Sequence, residues 1–277
     1  MTGRIEPQPW MTEPATQRVM RALAEGGAGA RFVGGCVRDA LLGRPIRDID
    51  IATDGSPERV TAILAAAGIK VVPTGFAHGT VTAVVDHRGF EITTLRVDVE
   101  TFGRHARVAF TDDWVADAAR RDFTFNAMSL ETDGTLHDPF GGEADLRARR
   151  VRFVGAARQR IEEDVLRLLR YFRFHAHYGA PPPDAEALDA CRAMAPRLPD
   201  LSAERVAAEL MKLLAAPDPV PVLRLMRAEG VLARVLDEAR DLARLARMVR
   251  IDAAADPLRR LAALLPSDPA GALAVAQ

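Results

Sequence analysis

The stretch GGCVRDALLGRPIRDIDIA, residues 34–52, decides how the remainder of the sequence is interpreted. Two glycines separate a short apolar strand predicted at Arg31–Val33 from a short helix predicted at Val37–Leu42, which Gly43 ends. Glycine lets a phosphate approach the backbone closely, and a helix start presents N–H groups to an anion. Arg38, in the first helical turn, is placed to reach the same anion. Alone, this segment would be interpreted as a glycine turn followed by a surface arginine.

Two aspartates at the end of that stretch are candidate metal ligands. Asp48 and Asp50 lie on a strand predicted at Ile46–Ala52, where residues two apart project from one face while Ile49 enters the core. Two-metal phosphoryl transfer needs carboxylates that hold divalent cations, and Mg²⁺ keeps several waters, so two or three carboxylates suffice. By itself an Asp-x-Asp is weak evidence, because aspartates are common at surfaces and in turns.

The composition is that of a globular protein without a membrane-spanning segment. Of the 277 residues, 48% are hydrophobic and 27% are charged, and the formal net charge is −1. No apolar run approaches the roughly 20 residues needed to cross a bilayer. Cys36 and Cys191 show no metal-ligand spacing, and the first ten residues lack a signal-peptide pattern, so a cytoplasmic location is expected.

Positive charge is concentrated in one segment. Between Arg147 and Gly179, nine arginines face three acids, a local excess of six positive charges. Such an excess favours a polyanionic partner, although a solvated helix face in an arginine-rich chain would show the same composition.

The order of predicted elements indicates an α+β fold. Up to residue 145 short strands alternate with helices, and beyond it apolar residues recur at helical spacing. Further strands are predicted at Lys70–Val72, Thr80–Val85 and Phe90–Leu95, with a tight turn at His87-Arg88-Gly89, a polar loop at 96–111 and a hairpin turn at Asp133-Gly134. Helices are predicted at Thr16–Glu25, from Ser56-Pro57 to Gly68, from Asp112/Asp113 to Ala119, as one apolar stripe over Ile161–Ala176, and over 202–214 and 220–250. Trp114 and Phe172 are predicted to lie in the core and not to act as base-stacking platforms.

Five motifs in fixed order resemble those of the class II tRNA nucleotidyltransferases and bacterial poly(A) polymerases. They are residues 34–52 as GGxVRDxLLG leading into DxD, RRDFTFNA at 120–127, DPFGG at 138–142 followed by Asp145-Leu146, EDVLR at 163–167, and SAERV at 202–206 with Glu209. The resemblance covers roughly residues 30 to 265. It implies a catalytic head at 1–145, a helical neck at 146–215 that selects the nucleotide, and the start of a helical body at 216–277. Members of the family usually continue through more body and tail helices, so the chain is expected to be short of them.

The resemblance also implies a role for each matching residue. Asp48 and Asp50 would bind catalytic Mg²⁺, and Glu91 would be a third catalytic acid, with an outward-facing strand glutamate as the alternative. The implied nucleotide-binding residues are Gly34, Gly35, Arg38, Arg121, Asn126, Glu163, Asp164, Arg167, Arg170 and Arg173. Arg170 and Arg173 would hold the triphosphate or the RNA backbone. Asp122 could instead be structural, as a cap or as a partner of an arginine.

The EDxxR segment has a physical logic of its own. Asp164 and Arg167 are three residues apart and Glu163 and Arg167 four apart, so on one helix all three project from the same face. A carboxylate beside a guanidinium offers an acceptor and donors that match the Watson–Crick edge of a base. Without the other motifs, an ordinary surface ion pair would be the preferred interpretation.

The function that the resemblance implies is addition of CCA to the 3′ end of tRNA, with CTP and ATP as donors and no membrane. The alternatives left open are a poly(A) polymerase, a non-catalytic RNA-binding relative and a small-molecule nucleotidyltransferase. The segment between Arg96 and Arg120 has about the length of the family's flexible loop, and Gly103-Arg104-His105 resembles its core, which favours the full CCA-adding type. Five of the six histidines, at 78, 105, 137, 175 and 177, form no zinc spacing. The sequence does not indicate an oligomeric state.

Overall fold

In a computed structural model of the protein, residues 2–102, 105–237 and 242–265 are described below. The chain divides into two compact units, Met1–Ala148 and Arg149–Gln277. A mixed sheet with helices forms the first unit and helices form the second, which confirms the α+β prediction. None of the helices in these ranges has the length and hydropathy needed to cross a bilayer.

Ten strands lie in the described part of the first unit. They are β1 Thr2–Arg4, β2 Ala30–Val33, β3 Asp50–Thr53, β4 Lys70–Gly75, β5 Thr80–Val85, β6 Arg88–Thr94, β7 Arg96–Phe102, β8 His105–Phe110, β9 Ser129–Leu130 and β10 Thr135–His137. Eight of them form one sheet in the order β1-β10-β9-β2-β3-β6-β5-β4. Within it β3 and β6 run parallel and the other neighbours antiparallel. The remaining two, β7 and β8, form a separate antiparallel hairpin.

Six α-helices lie in the described part of the first unit, and three of them cover one face of the sheet. The helices are α1 Pro9–Thr12, α2 Pro14–Glu25, α3 Gly35–Leu41, α4 Pro57–Ala66, α5 Trp114–Ala119 and α6 Gly142–Arg147. Phe32, Ile51 and Ile92 are buried on the face against which α1, α2 and α4 pack, and Trp10 of α1 meets Phe32 edge to face at 4.8 Å. Because side chains alternate along a strand, the neighbouring residues Val33, Asp50 and Glu91 belong to the other face.

Two arginines secure the helices behind the sheet. Arg59 of α4 donates to the carbonyls of Gly26 and Gly27 after α2, and Arg18 of α2 donates to the carbonyl of Gly68 after α4. Each cation thus satisfies carbonyls at the C-terminal end of the other helix, where the helix dipole favours positive charge.

The described part of the second unit is helical. Its helices are α7 Ala157–Glu163, α8 Leu166–Tyr178, α9 Ala185–Met194, α10 Ala203–Leu214, α11 Val220–Ala228, α12 Leu232–Val235, α13 Leu242–Ile251 and α14 Pro257–Leu264. Leu168, Tyr171 and Phe172 of α8 are fully buried. Arg260 of α14 is 1% exposed and donates to the carbonyls of Leu214 and Ala216, which ties α14 to the end of α10.

Several predicted elements differ from the observed ones. The strand predicted at Ile46–Ala52 begins only at Asp50, and the tight turn lies at Asp86-His87, where both residues have positive φ as in a type I′ hairpin. The loop predicted at 96–111 is the β7–β8 hairpin. The helix predicted over 220–250 is three helices, α11, α12 and α13.

The predicted helix over Ile161–Ala176 is also wrong. It is interrupted at Asp164-Val165, where Asp164 takes an extended conformation with φ −150° and ψ 108°. The apolar stripe continues across this break, because α7 and α8 each bury an apolar side.

Candidate functional site

Three carboxylates lie together at the open face of the sheet in the first unit. Asp50 is the first residue of β3, and Glu91 of β6 is its register partner across the only parallel pair among the described strands. Partners in register project from the same face, so both side chains point to the same side. Asp48 lies two residues before Asp50, in the segment that precedes the strand and not on it; Asp48 is exposed, whereas Ile49 is 2% exposed.

The charges of Asp48 and Glu91 repel that of Asp50. Burial raises the pKa of Asp50, and the neighbouring charges of Glu91 and then Asp48 raise it further, while Arg121 acts in the opposite direction. Burial and the two neighbouring acids therefore disfavour the charge of Asp50, which is the electrostatic setting that a divalent cation reverses.

The donor set fits a cation that completes its coordination elsewhere. Within the described ranges no group of three or more His, Cys, Asp or Glu side chains forms a ready-made metal site. Mg²⁺ does not need one, since it binds through one or two carboxylates together with waters and substrate phosphates. Asp48, Asp50 and Glu91 supply hard oxygen ligands of that kind.

A glycine brings the backbone close to these acids. Gly34 has φ 72° and precedes α3, and a Cβ built on it would lie 3.8 Å from Oδ2 of Asp50 and 3.7 Å from Nη1 of Arg121. A Cβ on the next residue, Gly35, would lie 3.7 Å from Nη2 of Arg38. The two glycines thus keep open a small space between an acid and two arginines.

Arg38 is held by its neighbours more firmly than the sequence indicated. It is the fourth residue of α3, it is 9% exposed, and it donates through Nε and Nη2 to both carboxylate oxygens of Asp39. Its Nη1 donates to Oδ1 of Asn126 at 3.0 Å, and the Asn126 amide donates to Oδ1 of Asp122 at 3.0 Å. Asp122 also accepts the backbone N–H of Phe123. Asn126 therefore links Arg38 to the RRDFTFNA segment.

Arg121 is positioned by an acid that sequence reasoning missed. Asp117 of α5 is 4% exposed and accepts Nη2 of Arg121 at 3.0 Å and Nη2 of Arg120 at 2.8 Å. Burial alone would raise the pKa of Asp117, but the charges and hydrogen bonds of Arg121 and Arg120 outweigh it and lower the pKa. The signal available in the sequence was the four-residue spacing between Asp117 and Arg121 on a helix.

In the second unit, Glu163 fixes Arg167. One carboxylate oxygen of Glu163 accepts Nη2 of Arg160 at 2.5 Å, and the other accepts Nη1 of Arg167 at 2.7 Å. Arg167 also donates to the carbonyl of Arg160. The four-residue pair expected from the sequence therefore forms, although the helix between its members is broken.

Asp164 does not share a helix face with Arg167 as predicted. Because its backbone is extended, its Oδ1 accepts the N–H of Leu166 and its Oδ2 accepts Nη2 of Arg205 from α10 at 2.8 Å. This contact joins the EDVLR and SAERV motifs across 41 residues of sequence.

The two arginines further along α8 pack on an aromatic ring. The guanidinium carbon of Arg173 lies 4.2 Å from the ring centroid of Phe174, and that of Arg170 lies 5.5 Å from it. Nε of Arg173 is also 2.8 Å from Oε2 of the buried Glu209, in the geometry of an ion pair and not of a hydrogen bond. The core of the predicted flexible loop, Gly103-Arg104, falls outside the described residues.

Comparison with known proteins matches both units. Residues 30–152 match the family model of the poly(A) polymerase head domain, and residues 183–242 match that of a probable RNA- and SrmB-binding site of polymerase A. The mitochondrial CCA tRNA nucleotidyltransferase 1 of Danio rerio is 50% identical over 187 residues, which are 66% of this chain and 43% of that protein. The chain belongs to the poly(A) polymerase and tRNA nucleotidyltransferase family.

Other members of the family agree in sequence and in structure. The CCA-adding enzyme of Geobacillus stearothermophilus is 42% identical over 218 residues, which are 78% of this chain and 52% of that enzyme. The crystal structure of a Bacillus stearothermophilus CCA-adding enzyme in complex with CTP has a TM-score of 0.73 at 37% identity, over 88% of this chain and 58% of that one. A tRNA nucleotidyltransferase complexed with a primer tRNA and an incoming ATP analogue has a TM-score of 0.72 at 25% identity, over 89% and 74%. The chain spans about half the length of the curated relatives it matches.

Proposed function

We propose that this chain adds C and then A to the 3′ end of tRNA without a nucleic-acid template, using CTP and ATP. The observation that carries the proposal is the in-register pair of Asp50 and Glu91 beside Asp48, in a chain of this family. The names of its relatives support the substrates, since they are CCA-adding enzymes and one structure contains a primer tRNA.

In the proposed reaction the 3′ hydroxyl oxygen of RNA forms a bond to the α-phosphorus of the nucleotide. The bond between that phosphorus and the bridging oxygen of the pyrophosphate breaks, pyrophosphate leaves with that electron pair, and the hydroxyl proton passes to solvent water. Asp48, Asp50 and Glu91 would hold the cations, and Mg²⁺, when bound, would supply Lewis-acid stabilisation of the charge on the triphosphate. Arg121, held by Asp117, and Arg38 would direct positive charge towards the triphosphate, beside the close backbone approach that Gly34 and Gly35 allow.

Base selection is assigned to the second unit. Asp164 would accept a hydrogen bond from the amino group of the base, and Arg167, fixed by Glu163, would donate to its ring acceptors. Arg170 and Arg173 would bind the triphosphate or the RNA backbone. This division of roles follows the predicted boundaries, with catalysis at 1–145, nucleotide selection at 146–215 and the helical body from 216.

The test is incubation of the purified chain with tRNA lacking its CCA end, labelled CTP or ATP, and MgCl₂. We expect finite incorporation of C followed by A, and no incorporation by Asp50→Ala. Glu58→Gln is the matched control, because Glu58 is an exposed acid on α4, which packs behind the sheet. Absence of any incorporation by the wild-type chain would leave the non-catalytic alternative in its place.

Poly(A) addition is the second candidate, because the matched head-domain family carries that name. A long A tail formed without regard to CTP would establish it instead. The same assay separates the two candidates by product length and composition.

The proposed compartment is the cytoplasm. Cys36 and Cys191 are buried free thiols, as a reducing compartment allows, while the vertebrate relatives are named mitochondrial. Cell fractionation with an antibody against the chain assigns the compartment.

A further inference from the structure

The first unit contains a cavity that the proposed reaction does not use. Its volume is about 340 Å³, and its lining includes Arg31, Trp114, Ser129 and His137. The guanidinium carbon of Arg31 lies 4.1 Å from the ring centroid of Trp114, so a planar cation lies over the indole ring in the wall. A cavity of this size is at the lower end of those that hold small ligands, which run from about 300 Å³ upward.

Arg31 and His137 in the wall both pair with Glu131. Glu131 lies 3.4 Å from Nε of Arg31, and its carboxylate accepts a 2.6 Å hydrogen bond from Nε2 of His137. The side chain of Arg31 is still 20% exposed. Trp114 packs against the cluster of Val33, Ala52 and Leu95, which holds its ring against the sheet and not deep in the core where the sequence placed it.

The cavity opens on the face of the sheet that carries the acids. Ser129, Val33, Asp50 and Glu91 are successive register partners across β9, β2, β3 and β6, so their side chains form one row. Neighbouring strands are about 4.8 Å apart, which puts Ser129 about 10 Å from Asp50. A short stretch of a single RNA strand spans that distance.

The chemistry of the wall matches an unpaired nucleobase. Bases of single-stranded RNA stack on aromatic rings and on guanidinium planes, and every base has a face that can do so. The Ser129 hydroxyl, 9% exposed, makes no hydrogen bond to any residue in the described ranges and can donate to or accept from a base edge. A positive charge beside the base also suits the phosphate of the same nucleotide.

We propose that this cavity binds the base of one unpaired nucleotide near the 3′ end of the RNA acceptor, stacked against the Arg31–Trp114 pair. The inference rests on the proposed function, since it assigns the acceptor strand to the same face as Asp50. It makes Arg31 a determinant of RNA binding and not of nucleotide binding.

Direct binding is measured by fluorescence of the full chain carrying Trp10→Phe, which leaves Trp114 as its tryptophan. A six-nucleotide single-stranded RNA ending in CC is expected to quench the emission in a saturable way without Mg²⁺ or CTP. The same RNA with an abasic sugar at each of its last two positions is expected to quench at least tenfold more weakly, and inorganic phosphate not at all. Equal quenching by the abasic RNA, or quenching by phosphate alone, overturns the proposal in favour of an anion site.

Variants of two similar arginines separate stacking from general charge. Arg31→Gln and Arg31→Lys are both expected to raise the KM for RNA about tenfold, with the KM for CTP within twofold, because base stacking needs the guanidinium plane. Arg88→Gln is the matched control, since Arg88 pairs with Glu13 and lies 5.5 Å from the Phe90 ring, far from this lining. If Arg31→Lys binds RNA like the wild type, the contact is only electrostatic and the proposal is wrong.

The quenching experiment needs no turnover, so it stands even if the chain incorporates no nucleotide. Circular dichroism melts of each variant show whether it folds. Should Arg31→Gln unfold, Ser129→Ala replaces it, with an expected threefold or greater loss of RNA affinity, and unchanged affinity in that variant overturns the proposal.

Discussion

Replacing Asp117 by asparagine removes the anchor of two arginines at once. In the wild type the buried carboxylate accepts hydrogen bonds from Arg120 and Arg121 and from the backbone N–H of Arg96. Asparagine keeps the size but loses the charge, and its amide offers one acceptor oxygen where two were used. Two guanidinium groups, each about one-fifth exposed, are left without their counter-charge.

The size of the effect follows from that exposure. Removing one partner of a fully buried ion pair costs about 3–5 kcal/mol. Because both arginines keep some solvent, we expect about 2–3 kcal/mol for Asp117→Asn. For a unit of this size 1 kcal/mol corresponds to roughly 2–4 °C, so the melting temperature should fall by about 4–12 °C at pH 7.

The pH dependence gives the sharper check. The pKa of Asp117 is lowered in the folded state, so its ion pairs stabilise the fold above the unfolded pKa of about 3.9 and lose that effect as pH falls through the lower folded value. The difference in melting temperature between wild type and Asp117→Asn should therefore shrink below about pH 4. Asp113→Asn is the control, because Asp113 caps the same helix and asparagine caps equally well.

Activity should respond as well. Without Asp117, Arg121 is no longer held with its Nη1 beside the Gly34 backbone, so the KM for CTP is expected to rise about tenfold, or about 1.4 kcal/mol of binding. A variant with wild-type melting temperature at pH 7 and wild-type KM would show that Asp117 positions nothing.

Three further predictions concern the proposed nucleotide site. Asp50→Asn should lower incorporation by at least about a thousandfold. It should keep or raise the melting temperature, because burial, Glu91 and Asp48 disfavour the charge of Asp50. MgCl₂ should raise the melting temperature of the wild type more than that of this variant, and equal shifts would place the cation elsewhere. Gly34→Ala, at φ 72°, should cost about 1 kcal/mol in stability and raise the KM for CTP, as calorimetry and initial rates will show. Arg167→Ala should blur the choice between CTP and ATP in competition assays with less loss of stability than Asp117→Asn, because Glu163 keeps its pair with Arg160; unchanged selectivity contradicts that role.

The sequence predicted the parts of the site that depend on local order. The glycine turn between β2 and α3, the burial of Ile49 between two acids and the capped start of α5 at Asp113 all follow from short-range rules, and the structure contains them. These short-range rules do not predict which of the many acids act together, and that prediction came from the family resemblance.

Contacts between distant segments could not be predicted in the same way. The Asp50–Glu91 pairing depends on a parallel crossover with β4 and β5 inserted between the partners in the chain. Asp164 was assigned to Arg167 by spacing, but a single extended residue turns its carboxylate to Arg205. Hydrophobic periodicity did not predict that break, because the apolar residues of α7 and α8 are buried on both sides of it.

Two sets of acids in the described ranges differ in whether their carboxylates pair with arginine. Asp39, Asp117, Glu163 and Asp164 are each paired with arginine at 2.5–3.0 Å. The side-chain carboxylates of Asp48, Asp50 and Glu91 form no hydrogen bond or ion pair with a residue in the described ranges, although the chain is rich in arginine. A fold that pairs those four carboxylates with arginine and leaves Asp50 beside two other acids retains an unfavourable charge that a bound cation would offset, which is a mark of functional sites. A cation bound there would relieve the repulsion among the three carboxylates. The repulsion that lowers the stability of the fold without metal therefore raises the affinity of the cluster for metal.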